Sequence, residues 1–414
     1  MTASMYARAV SFTALAFVLA VAATSLQCGN DQNNPTPDAS TDSGVPDTTP
    51  DHSSDASDAG VVADASDGGL CFKPAVNYGV GKQPTSIAAG DLNGDGKPDL
   101  VATNQGTSNL SVLIGNGDGT FKAHVDYTTG PNLNSNPGSP ALLDLNGDKK
   151  LDLVVTDADN FEVAVFLGNG DGTLQTAQTY QTDMGPLGLT TGDFNGDTRV
   201  DLAVATNINN DISVLLGNGD GSFQNAVNYA AGMGPLAIAS ADFNGDQALD
   251  VAVLNVNSHD ISVLRGNGNG TFQTPTTVTV GNEEALIAAD LRSNGTVDLA
   301  VAQPTANGVA VFLGHGDGLF ADAATYGSGQ APYGVAVGDF NGDTKLDLAT
   351  ANDLSNNASV LLGNGDGTFQ DALNFGAGGS PFAVATGDFD GDGKRDLAVA
   401  NFNGNNVSVL LQCP

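Results

Sequence analysis

From residue 70 onward one phrase returns seven times. Asp-Leu-Asn-Gly-Asp begins at Asp91, and related phrases begin at Asp144, Asp193, Asp242, Asp290, Asp339 and Asp388, at intervals of 53, 49, 49, 48, 49 and 49 residues. A fixed period of this length constrains a chain more than composition can, because each unit must bury its apolar face against the next copy of itself. Each copy opens with a small-residue segment such as Ser86-Ile87-Ala88-Ala89, suited to the crowded axis of a ring. The aspartate phrase follows, then a continuous apolar run such as Asp201-Leu202-Ala203-Val204-Ala205. Its lack of alternation implies a strand buried on both faces. A polar loop leads to Ile212-Ser213-Val214-Leu215-Leu216, then to Gly217-Asn218-Gly219-Asp220-Gly221, then to an outer segment from Phe223 to Tyr229. Four strands at this period make one propeller blade, so residues 70–414 are expected to form an all-β, seven-bladed β-propeller of four-stranded antiparallel blades.

Two features carry a tempting alternative. Gly115-Asn116-Gly117-Asp118-Gly119 looks like a nucleotide loop, but a strand follows where a phosphate site needs a helix N-terminus, so the turn closes a hairpin. Tyr78, Tyr127, Tyr180, Tyr229 and Tyr326 could be a lectin's stacking platforms. They recur at one outer-strand position, with Phe375 and Val278 as substitutes, which favours packing between blades.

The chemistry lies in the aspartate phrase. In the first copy oxygen-bearing side chains take positions 1, 3, 5 and 9, at Asp91, Asn93, Asp95 and Asp99. Calcium is a hard cation that takes about six to eight oxygens. Alternate side chains can wrap one ion if the backbone turns tightly, which Gly94 at position 4 permits. Position 7 is expected to offer its backbone carbonyl, leaving the side chain free to vary. It is Lys97, Lys150, Arg199, Ala248, Lys345 or Lys394, and a basic side chain there should point away and screen the acidic cluster. Complete sets recur at Asp144, Asn146, Asp148 and Asp152, and at Asp193, Asn195, Asp197 and Asp201. Others stand at Asp242, Asn244, Asp246 and Asp250, at Asp339, Asn341, Asp343 and Asp347, and at Asp388, Asp390, Asp392 and Asp396. The fifth copy departs: Asp290 is followed by Arg292, Asn294 and Asp298, and two carboxylates beside a guanidinium are not expected to hold calcium. A plain turn would not need three converging carboxylates, whose repulsion is costly without a cation, so six Ca2+ sites are expected. Ala102 at position 12 and the flanking strands exclude an EF-hand.

These repeats resemble FG-GAP/VCBS repeats and are similar to the N-terminal propeller of integrin α subunits, over about residues 70–414. The resemblance implies calcium in the loops between first and second strands. It also implies a family of adhesion and ligand-binding members, some lectins, and some enzymes.

Charge narrows the function further. The formal net charge is −34, from 47 acidic against 13 basic side chains, which excludes a nucleic-acid binder and an anionic-membrane binder. His52, His124, His259 and His315 are scattered, and the aspartates are assigned to metal, so no catalytic constellation emerges. A binding or adhesion module for an extracellular protein or glycan is expected. The alternatives are an extracellular carbohydrate lyase or hydrolase, or a lectin, using a propeller face. Near-equality of the repeats argues against an enzyme, which needs a locally irregular patch.

Residues 1–27 read as an export signal, with Arg8 the lone charge and an apolar run from Val10 to Ala23. Cleavage falls either near Ala22 or before Cys28, the latter with lipidation of Cys28, resembling a bacterial lipoprotein. Leu26-Gln27 depart from the small residue that family prefers before the cysteine. The product is therefore a cell-surface lipoprotein or a secreted protein, with membrane contact only through such an anchor. Residues 28–69 are expected to be a disordered, self-repelling tether, because from Gly29 on they hold nine aspartates and no Lys, Arg or aromatic residue. At the far end the last repeat stops at Cys413, lacking its outer strand, while Leu70 to Tyr78 matches the missing piece. The N-terminal strand should complete blade 7. That register puts Cys413 where Asn116 sits in blade 1 and Cys71 where Thr120 sits, facing across a hairpin as a disulfide pair.

Overall fold

The computed structural model describes residues 69–129, 135–281 and 283–414. The expected export signal, Cys28 and its lipidation, and the tether up to residue 68 lie outside the described residues. Twenty-eight strands form seven four-stranded antiparallel sheets, and no helix occurs among the described residues. Blade 1 runs Pro84–Gly90, Asp99–Asn104, Asn109–Leu113 and Val125–Tyr127, each strand pairing with the next. Blades 2 to 6 repeat that order. Blade 7 takes three strands from the C-terminus, Pro381–Gly387, Asp396–Asn401 and Asn406–Leu410, and its fourth from the N-terminus, Val76–Gly79. Val76 stands opposite Val409 and Gly79 opposite Asn406.

Burial follows strand rank. Second strands such as Asp201–Thr206 are buried along their whole length, as their unbroken apolar runs require. First strands are half-buried and meet one another round the axis, where only small side chains fit. The outer strand is shorter than the sequence suggests. Phe223 forms only an isolated bridge with Gly217, and the strand proper is Val227–Ala230. The apolar core divides into seven clusters, one at each blade junction, including the closure between blades 7 and 1. Tyr78, Tyr180, Tyr229 and Tyr326 each pack edge-on, at 5.3–5.4 Å, against Phe121, Phe223, Phe272 or Phe369 of the following blade. They are junction packing, not platforms.

The ring closes where expected. Cys71 and Cys413 are disulfide-bonded with Cα atoms 5.4 Å apart, and Cys413 N donates to Cys71 O, the counterpart of Asn116 N to Thr120 O in blade 1.

Candidate functional site

Each aspartate loop joins the first two strands of its blade. In blade 1 Asp91 Oδ1 accepts the amides of Gly94 (2.7 Å) and Asp95 (3.1 Å), and Oδ2 accepts Gly96 N at 2.7 Å. Asn93 Oδ1 accepts Asp95 N at 2.9 Å, and Asp95 Oδ1 accepts Lys97 N at 3.0 Å. These Asx turns coil positions 1, 3 and 5 tightly together. The position-1 to position-4 bond recurs at Asp144, Asp193, Asp242, Asp339 and Asp388. Position 4 is left-handed, as at Gly94 with φ 72°. Position 6 is left-handed too, and Lys149, Thr198, Gln247 and Thr344 adopt it without being glycine.

The donor set is all oxygen, which suits a hard divalent cation. In blade 7 Asp388, Asp390 and Asp392 each place a carboxylate oxygen within 4.8 Å of the others. Asp390 Oδ1 there is buried without a hydrogen-bond partner, while its Oδ2 meets Lys73 Nζ of the closing strand at 3.4 Å. A carboxylate oxygen in that condition is what a bound cation would relieve. Asp396 lies outside this group of three.

Position 9 does something the sequence did not suggest. Asp99 is fully buried; its Oδ2 accepts Leu92 N at 2.9 Å and its Oδ1 accepts Gly115 N at 2.8 Å. One carboxylate thus ties the aspartate loop to the Gly-Asn-Gly-Asp-Gly hairpin of its own blade. The pairing repeats at Asp152, Asp201, Asp250, Asp347 and Asp396. Burial, and then the charges of positions 1 and 5, push the carboxyls of Asp99, Asp250 and Asp347 up to about 6, against the two amides that hold them down. A Cβ on Gly115 would strike Pro98 O, so this close approach requires glycine.

Basic side chains at position 7 do not point away as expected. Lys97 Nζ lies 4.0 Å from Asp95 Oδ2 and donates to Asn116 O at 2.8 Å. Lys150, Arg199 and Lys345 approach the position-5 carboxylates of Asp148, Asp197 and Asp343 at 3.7, 3.7 and 3.3 Å. A long stem reaches the neighbouring hairpin by folding across the loop, and the acid draws its head inward. Ala248 has no such contact to make.

Blade 5 is built differently. Arg292 Nη2 donates to Asp298 Oδ1 (2.6 Å), Thr296 Oγ1 (2.7 Å) and Gly314 O (2.6 Å), and its Nε donates to Asp298 Oδ2 (3.2 Å). The guanidinium takes the place that the position-2 amide has in the other blades and grips the buried carboxylate with both prongs. These residues do not fit a calcium loop; the fifth loop carries its own cation.

The loops also bridge blades. Gly172 N of blade 2 donates to Leu92 O of the blade 1 loop at 3.2 Å, and Gly119 N of blade 1 to Phe389 O of blade 7 at 2.9 Å. Gly270 N and Gly318 N make the same bond to Phe194 O and Phe243 O, both at 2.8 Å. In these four blades the loop is held between its own hairpin and the next one.

The opposite face carries the loops between second and third strands, such as Asn104–Asn109 and Asn352–Asn357, and the connections between blades. Here the blades differ. In blades 1, 4, 6 and 7 an asparagine ends the second strand, and Asn104 Nδ2 donates to Asn109 Oδ1 and Ser111 Oγ, both at 3.0 Å. Gly81, Gly232, Gly329 and Gly378 pack against those asparagines without room for a Cβ. Blade 3 replaces the pair with Thr206 and Asp183, which brings the carboxyls of Asp183 and Asp211 into hydrogen-bond contact beside a rim groove of about 490 Å³. Burial, and then the Asp183 charge acting against the Thr206 hydroxyl, pushes Asp211 up to about 6.

An axial ring of seven blades, each stapled by an aspartate loop, defines a propeller of repeat type. The FG-GAP-like repeat model matches residues 91–155, 144–204, 193–253, 242–301, 290–350 and 339–399, and the chain belongs to this family. A curated relative, the T-cell immunomodulatory protein homolog of Plasmodium yoelii yoelii, is 42% identical over 76 residues, which cover 16% of this chain and 11% of that protein. Among solved structures, an Agrocybe aegerita lectin that recognises non-reducing terminal N-acetylglucosamine superposes with a TM-score of 0.50 at 20% identity, over 77% of this chain and 86% of the lectin. Staphylococcus aureus virginiamycin B lyase gives 0.56 at 14% identity, over 82% of this chain and 99% of the lyase. At these identities the likeness is one of fold.

Proposed function

We propose that the protein is an exported, calcium-binding propeller that acts as a binding or adhesion module for an extracellular protein or glycan. Export is either as a lipoprotein anchored through Cys28 or in free form. A lectin and a lyase share the fold, so the fold by itself does not choose between binding and catalysis. The observation that carries the reading is the inequality of the two faces. One repeats the same aspartate loops and hairpins round the ring, while the other presents loops that differ from blade to blade on a rigid scaffold, where binding residues concentrate. Calcium would be held in six loops by the side chains at positions 1, 3, 5 and 9 and the position-7 carbonyl, supplying positive charge among carboxylates and fixing the loops between hairpins. The ligand would bind the opposite face.

The test is a glycan and cell-surface-protein array probed with calcium and with chelator. Binding should be found, and it should disappear when Asn104–Asn109, Asn207–Asp211 and Asn352–Asn357 are replaced together, with calcium stoichiometry unchanged. Loss of binding on substituting the exposed hairpin Asp118 and Asp220, with the loop replacements tolerated, would reverse the assignment of faces.

A further inference from the structure

The seven first strands begin at the axis on the variable-loop face, and six begin with proline: Pro84, Pro137, Pro186, Pro235, Pro332 and Pro381. The register slips just after that proline. Pro235 pairs with Asn255 and Ala237 with Leu254, so Leu236 is an extra, bulged residue outside the ladder. Tyr333 and Phe382 are bulged in the same way. Such bulges re-aim a side chain, here at the mouth of the axial channel. The position is Leu187 in blade 3, Leu236 in blade 4, Glu284 in blade 5, Tyr333 in blade 6 and Phe382 in blade 7, all half-buried.

Blade 5 breaks the pattern. It has Glu283-Glu284 in place of proline and an apolar or small residue. Glu283 is only 2% exposed; its Oε1 accepts Gly281 N and Gln303 Nε2, and its Oε2 has no hydrogen-bond partner among the described residues. Among the described residues no hydrogen bond reaches the Glu284 carboxyl. Burial, and then the Glu283 charge, push that carboxyl up to about 7, as expected of an acid lacking positive charge nearby. Tyr333 and Phe382 hold the equivalent bulged positions in the next two blades. Tyr333 stacks on Phe382 at 4.9 Å and 17°, and Phe382 meets Phe402 at 5.8 Å and 33°. The Tyr333 hydroxyl is raised by burial, then by the charges of Glu284 and Asp353, so both acids bear on it.

We propose that Glu284, with Tyr333, Phe382 and Asp353, forms a receptor for an organic cation, a lysine or arginine side chain on a basic protein ligand, at the channel mouth. Aromatic faces attract such a cation, carboxylates without counter-charge need one, and a chain of net charge −34 draws basic partners. A metal ion would gain nothing from the rings. This names the ligand chemistry of the face assigned above and rests on that reading.

The experiment titrates N-acetyl-arginine amide into the calcium-loaded protein by NMR, with N-acetyl-citrulline amide as the neutral isostere and N-acetylglucosamine as a sugar. Arginine amide should bind at least tenfold more tightly than either. Glu284→Gln and Phe382→Ala should each weaken it at least tenfold, while Asp371→Asn, an equal loss of charge on the exposed outer rim of blade 6, should not. Glu284→Gln should melt no lower than the native protein, so weakened binding cannot be put down to unfolding. Equal weakening by Glu284→Gln and Asp371→Asn, or equal binding of citrulline or sugar, would overturn the proposal. If array ligands are lost on loop replacement but kept by Glu284→Gln, the face assignment stands and the cation receptor falls.

Discussion

At the scale of single residues, Arg292 is the most informative departure. Its guanidinium satisfies a carboxylate that the other blades leave to two amides, and both groups are covered, with side-chain exposures of 20% and 0%. Removing one partner of such a pair leaves an uncompensated buried charge, so Arg292→Ala should cost about 3–5 kcal/mol in denaturant unfolding. A native-like midpoint would show that the pair contributes nothing. The double change Arg292→Asn, Asn294→Asp completes the donor pattern of the other loops, and calorimetric titration should then count one more calcium than in the native protein. Asp211 gives a pH test. Its folded value of about 6 lies above the ordinary 3.8, so the folded protein holds that proton more tightly. The pair therefore stabilises least above pH 6, and the loss is recovered as the pH falls from 6 towards 4. Asp211→Asn keeps a donor for Asp183 and removes the charge. It should raise stability at pH 8 by about 1 kcal/mol after solvent screening, by about half as much at pH 5, and change little once the pH is below the ordinary value of 3.8.

At the scale of elements, the closing strand shows how much the sequence carries. The period, the truncated seventh repeat and the orphan segment Leu70 to Tyr78 sufficed to place both cysteines, because hairpin register is set by turn chemistry that is the same in every blade. Reduction, or Cys71→Ser with Cys413→Ser, should therefore lower stability by on the order of 5 kcal/mol, since the closed loop is very long. An unchanged melting curve would mean that pairing with the Asn406–Leu410 strand alone holds the ring. The aspartate loops were legible as oxygen donors at alternate places. The second duty of position 9 was not, since a sequence shows spacing along one loop and not the hairpin that folds over it. The channel mouth was hidden for another reason. Near-identity of the repeats drew attention to what recurs, whereas Glu284, Tyr333 and Phe382 matter because they do not.

At the scale of the molecule, stability is distributed over seven similar junctions, and the proposed ions sit at the loops that cross them. A ligand that binds only the folded ring stabilises it by about 2.7 kcal/mol per site at a hundredfold excess over its dissociation constant, and six sites compound this. Chelation should therefore lower the melting temperature by tens of degrees, with titration saturating near six equivalents. Indifference to chelator would remove calcium from the account of the fold.

Because the two ends of the ring are covalently joined, tension applied between them has a path that bypasses the blades. A pull along the chain enters at Cys71 and leaves at Cys413, and the intervening sequence separation of 342 residues stays slack however hard the ends are drawn. In single-molecule stretching the oxidised protein should give no unfolding event from the propeller. After reduction the same molecule should pay out a contour of roughly 120 nm at ~3.6 Å per residue. Wired in this way, the propeller can be tugged from either side of the disulfide without losing its shape.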